Sequence, residues 1–80
     1  MPTSARVMTI LERVAETDVV RQDPNIQLFD AAILDSLGLV QLIVALEEEF
    51  GVEISPAEIE REQWATPRKI SSYMESLVGV

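Results

Sequence analysis

The stretch 36–50 sets the terms for the rest of the chain. At about 100° per residue, Leu39, Leu42, Ile43, Leu46 and Phe50 gather on one side of a helix, the stripe that a helical core requires. Gly51 follows the last apolar residue directly and is the expected stop, because glycine enters the left-handed conformation without a side-chain clash. A second apolar set, Leu37, Val40 and Val44, falls on nearly the opposite side, with Gln41, Glu47 and Glu48 beside it. A chain of 80 residues makes one domain, 1–80, with a modest core, and it cannot easily bury a helix that is apolar on two faces. Two readings stay open. Either this helix is central and all three residues are core, or an apolar strip rimmed by acid is a docking surface for a partner.

The remaining segments supply the walls. Val7, Ile10, Leu11 and Val14 recur at helical spacing behind Thr3 and Ser4, either of which suits an N-cap, and this predicts a helix over 4–17. Residues 19–34 show no sustained period. Pro24-Asn25 reads as a turn, yet Ile26, Leu28, Phe29, Ile33 and Leu34 are too apolar for disorder. The segment is a long loop pinned to the core, and its length points to a functional loop or a short helical turn. Ser55-Pro56-Ala57-Glu58 combines a capping box with proline at the first helical position, predicting a short helix over 56–62. Thr66-Pro67 repeats the start signal, and Ile70, Tyr73, Met74 and Leu77 give the apolar face of a last helix over 67–78. The fold class is all-α: a four-helix bundle with a short third helix and a long loop between helices one and two, without repeats, low-complexity segments or an interdomain linker.

Composition removes most chemistry. Without Cys or His, the chain has no disulfide framework, no thiolate or imidazole nucleophile, and none of the usual zinc or copper ligand sets, so no metal is expected. No Asp-x-Asp-x-Asp-Gly loop precedes a glutamate at calcium-binding spacing. The hydroxyls and carboxylates that remain form no activated nucleophile without an orienting base; no catalytic residue is assigned, and the chain does not read as an enzyme. Fourteen acidic against six basic residues give a formal net charge of −8, which argues against nucleic acid and favours basic protein partners over a role in solubility alone only if the charges are placed for it. No apolar run approaches a membrane span, and Met1 to Ala5 lacks the features of a signal peptide, so a cytoplasmic protein without direct membrane insertion is expected.

At the head of the two-faced helix stands Asp35-Ser36-Leu37-Gly38. A serine at a helix N-terminus is most often a cap and nothing more. The same location suits a phosphodiester, because unpaired first-turn amides and the helix dipole favour an anion. Glycine inside a helix costs roughly 1 kcal/mol relative to alanine, so Gly38 invites the reading that another group approaches the backbone closely there.

Asp35-Ser36-Leu37 resembles the motif of the acyl carrier protein superfamily, whose members bear 4'-phosphopantetheine on the serine that opens their second helix. The flanks agree over almost the whole chain: Leu28-Phe29, Ile33-Leu34-Asp35, Leu42, Leu46-Glu47-Glu48-Glu49-Phe50-Gly51-Val52 and Ile54. Within the superfamily the chain looks most like the D-alanyl carrier proteins, which serve D-alanylation of teichoic acids in Gram-positive bacteria. Leu34-Asp35-Ser36-Leu37-Gly38, Val40-Gln41-Leu42 and Glu60-Arg61-Glu62-Gln63-Trp64-Ala65-Thr66-Pro67 carry that likeness, together with Asp23-Pro24-Asn25-Ile26. Leu39 stands where the family commonly has Thr, and Ile59 where it commonly has Phe. Trp64 marks the family; physically, a lone tryptophan before a helix anchors a loop through its large apolar area.

The resemblance implies covalent 4'-phosphopantetheine on Ser36, with Asp35 and Gly38 flanking the attachment. A phosphopantetheinyl transferase would place the arm, a D-alanine–carrier protein ligase would load it with the activated amino acid, and a membrane acyltransferase would receive the cargo for lipoteichoic or teichoic acid. Tethering raises the effective concentration of the cargo at the next active site. Leu37, Val40, Gln41 and Val44 would form the docking surface of a monomeric carrier, and Glu47 and Glu48 would steer basic partners. Charge reversal at both glutamates is expected to slow loading and leave the fold intact. Two rivals remain: a carrier for a fatty acyl, polyketide or nonribosomal cargo, and an acidic helical interaction domain without a prosthetic group, in which Ser36 is only a cap.

Overall fold

The computed structural model describes residues 3–55, 57 and 59–79, and no strand occurs among them. Helices α1 (Thr3–Ala15), α2 (Val19–Gln22), α3 (Ser36–Phe50) and α4 (Pro67–Val78) are joined by loops that include a 3₁₀-helix at Arg61–Trp64. The all-α expectation holds, and the sequence boundaries of the two later long helices coincide with α3 and α4.

Those two helices end where their punctuation says. Gly51 (φ 66°) and Gly79 (φ 76°) close them in the left-handed conformation, and their amides donate to the carbonyls of Glu47 and Glu75. Thr66 opens α4: its hydroxyl accepts from the Lys69 amide at 3.1 Å, and Pro67 occupies the first turn, where its missing N–H costs nothing. The start of α1 differs from expectation. Thr3 and Ser4 lie inside the helix, so neither caps it, and Ala15 ends it two residues early because Glu16 takes a left-handed φ of 57°.

The short third helix is not continuous over 56–62. Ala57 is in a 3₁₀ turn and Ile59 and Glu60 are not helical, while Pro56 and Glu58, which carried its predicted start, lie outside the described residues. A further 3₁₀-helix, Arg61–Trp64, is opened by a capping box in which the Glu60 side chain accepts from the Gln63 amide and the Gln63 side chain accepts from the Glu60 amide. Burial fixes its position: Trp64, at its end, is fully enclosed and meets Tyr73 edge-on with centroids 5.4 Å apart.

The core is one cluster. Val7, Ile10 and Leu11 of α1, Val20 of α2, Leu42, Ile43 and Leu46 of α3, and Ile70 and Met74 of α4 meet with Leu28, Leu34, Ile54 and Trp64 from the connections. α1 packs against both α4 and α3. Arg6 fastens the second contact: its Nε and Nη2 donate to Glu49 Oε2 at 3.0 and 2.9 Å, and its guanidinium lies 4.3 Å from the centroid of Phe50. The long loop is pinned, as its apolar residues predicted. The short helical turn it was expected to hide is α2, held by the buried Val20, and beyond it the Leu28 amide donates to the Ala65 carbonyl (2.8 Å) and the Arg68 amide to the Pro24 carbonyl (3.0 Å). These bonds satisfy backbone groups that a free loop would leave to water, and they deliver residues 29–35 to the head of α3.

Candidate functional site

The head of α3 separates two roles that the sequence left merged. Asp35 is extended (φ −111°, ψ −172°), and its Oδ1 accepts from the Gly38 amide at 2.7 Å, so Asp35 is the N-cap. Ser36 is therefore the first helical residue, not the cap. Its side chain is exposed, and its hydroxyl makes no hydrogen bond among the described residues.

Gly38 gains a reason from the same cap. A Cβ built there would stand 3.2 Å from Asp35 Oδ1 and 3.2 Å from Leu34 Cδ2, tighter than ordinary contact. The group that comes close to its backbone is the chain's own capping carboxylate, with Leu34 packed beneath. A short 2.7 Å bond and a missing methyl group are two sides of one arrangement.

Along α3 the two apolar stripes part company. Leu42, Ile43 and Leu46 are buried, while Leu37, Val40 and Val44 are 66 %, 51 % and 47 % exposed. The reading in which all three are core is excluded. Gln41 and Glu48 flank the strip and are exposed. Glu47 differs from its neighbour: it is half-buried, and its Oε2 accepts from the Ile54 amide at 2.9 Å, so it holds the chain after Gly51 against the helix.

Beside Ser36 lies a cleft of about 150 Å³, lined by Ser36, Leu39, Val40 and Ile43 of α3, by Phe29 of the long loop, and by Ile59 and Arg61 from the segment before α4. Arg61 lies over the Phe29 ring at 4.3 Å from its centroid. Sequence reasoning did not assign Phe29, Ile59 and Arg61 to the site, because they come from two segments far apart in the chain that the backbone bonds at Leu28 and Arg68 tie to each other. Among the described residues no cluster of His, Cys, Asp or Glu suits a metal ion, and no helix is long and apolar enough to cross a membrane.

An exposed serine without a neighbouring base does not attack a substrate unaided. It can receive a group from an enzyme that brings its own base, and an exposed apolar strip begins at the next residue. Comparison with known proteins defines the class: the family model described as phosphopantetheine attachment site matches residues 5–74. The chain is 44 % identical over 71 residues to the D-alanyl carrier protein of Listeria monocytogenes serotype 4b, covering 89 % of this chain and 91 % of that protein. It is 41 % identical over 74 residues to the D-alanyl carrier protein of Abiotrophia defectiva (92 % and 94 % covered) and 38 % identical over 72 residues to that of Bacillus cereus (90 % and 91 %). The chain belongs to the D-alanyl carrier protein family, within the phosphopantetheine attachment class. It is a carrier rather than an enzyme, its cofactor is phosphopantetheine, and it works through partner enzymes.

Proposed function

We propose that residues 1–80 act as one carrier domain that bears 4'-phosphopantetheine on Ser36 and carries D-alanine for transfer to teichoic or lipoteichoic acid. The observation that supports Ser36 most directly is the division of labour at the head of α3: Asp35 caps the helix, which leaves the serine hydroxyl exposed and uncommitted. The arm, when attached, supplies the terminal thiol that this cysteine-free chain lacks, and D-alanine travels on it as a thioester. Asp35 and Gly38 hold the serine at a fixed place on the first turn. Leu37, Val40 and Val44, with Gln41 beside them, form the apolar centre on which a transferase, a D-alanine ligase and a membrane acyltransferase dock in turn, and Glu48 contributes the acidic rim that steers them. Loading takes place in the cytoplasm, on a monomer.

The test is intact mass after incubation with coenzyme A and a phosphopantetheinyl transferase of broad specificity. Wild type gains one phosphopantetheine and Ser36→Ala gains none. No gain by wild type, with a transferase active on other carriers, would favour the interaction domain without a prosthetic group. The cargo is tested on the loaded protein with the ligase and ATP: D-alanine is accepted in preference to L-alanine, and loading with a fatty acid alone would overturn the D-alanine assignment.

A further inference from the structure

The cleft beside Ser36 contains one cationic side chain in a chain of formal charge −8. The other basic groups are placed elsewhere: Arg6 on Glu49, Arg21 on Glu12, Lys69 3.8 Å from Glu62, Arg13 along α1 and Arg68 at the head of α4. Arg61 makes no ion pair among the described residues, and it is held against the face of Phe29. Stacking on a ring fixes the plane of a guanidinium while leaving its N–H edge available. A cation presented in this way, in the cleft that Ser36 also lines, matches a phosphodiester in charge and in donor geometry.

Resting on the assignment of the arm to Ser36, we propose that Arg61 is a positioning residue for it. The guanidinium binds the phosphodiester, and Phe29, Leu39, Ile43 and Ile59 receive the dimethyl-bearing carbons next to the phosphate. Volume limits how much of the arm is held. About 150 Å³ is room for only a few water-sized groups, at ~30 Å³ each, so the cleft takes the root of the arm and leaves the thiol end free to reach a partner. Arg61 thereby sets the direction in which the arm leaves Ser36, across the 3₁₀-helix side of α3, where Val40 is the one residue of the docking strip that the cleft shares, and leaves Leu37 and Val44 clear. The phosphate charge also offsets that of Arg61, so the clamp weakens as salt screens it.

The test compares apo and loaded protein by NMR, after intact mass has confirmed that each sample carries the arm. In wild type, loading shifts the Arg61 side-chain Nε–H signal and the backbone amides of Phe29 and Ile59, and the ³¹P signal differs from that of the same loaded protein unfolded in urea. In Arg61→Gln both the remote amide shifts and the ³¹P difference are lost, in Arg61→Lys they are reduced but present, and in wild type at high salt they fade. Shifts confined to residues 35–38 in a fully loaded wild type, or an Arg61→Gln protein that responds to loading as wild type does, overturn the clamp and leave the carrier assignment standing. Absence of the mass gain itself overturns the attachment at Ser36 and the clamp with it. The salt series on wild type needs no variant, so a substitution that disturbs folding does not decide the matter.

Discussion

The two faces of α3 are built from the same kinds of residue and have opposite fates. Leu42, Ile43 and Leu46 are removed from water; Leu37, Val40 and Val44, on the same fifteen-residue helix, are about half or more exposed. Residue type therefore does not separate core from site in this chain. Placement does: the inward stripe has α1 to pack on, whereas the outward strip starts one residue after Ser36 and stays about half or more exposed. The inward face carries stability, and the outward face is free to carry recognition.

Breaking each face should give opposite readouts. Leu46→Ala is expected to destabilise the fold by about 2–5 kcal/mol, since it removes buried methyl groups and leaves a cavity, and urea denaturation measures it. Smaller effects sharpen the division at the head of the helix. Asp35→Ala should cost about 1 kcal/mol through loss of the cap, while Ser36→Ala should stay within roughly 0.5 kcal/mol. Equal losses for the two would return the capping role to the serine. Glu47→Lys removes the acceptor of the Ile54 amide and should also cost about 1 kcal/mol, so the expectation that charge reversal at both glutamates spares the fold is corrected for this one. At Glu48 the fold is spared: Glu48→Lys should leave the denaturation curve unchanged and slow transferase loading at low salt, with the difference shrinking as salt is added. The smallest stability effect belongs to the outward strip. Val44→Ser is expected within about 0.5 kcal/mol of wild type, yet to reduce loading measured by intact mass over time.

How much of this was legible beforehand varied with the range of the signal. α3 and α4 were readable because each combines a regular apolar period with local punctuation, Gly51 for one and Thr66-Pro67 for the other. The 56–62 helix was only partly legible. Pro56 and Glu58 of its expected start lie outside the described residues, and the break at Ile59 and Glu60 precedes a box built from Glu60 and Gln63, an uncommon pair beside the buried Trp64. α2 is four residues long and offers no period. At the site, Asp35 and Ser36 are adjacent cap-forming residues, and sequence alone does not say which one faces the Gly38 amide. The exposed strip was half legible: the helical wheel put Leu37, Val40 and Val44 together, but only the packing of α1 on the other side and the exposure that results show that they are not core. Phe29 and Arg61 are thirty-two positions apart along the chain, and no local pattern announces that they stack.

The packing of α1 against α4 has a consequence for how the protein folds. Val7, Ile10 and Leu11 share their core with Ile70 and Met74, about sixty residues further along the chain. Contacts of such long sequence separation reward the chain only after the loop between them has closed, so the core assembles in one cooperative step rather than helix by helix. A variant truncated after Thr66 should accordingly show little cooperative melting by circular dichroism.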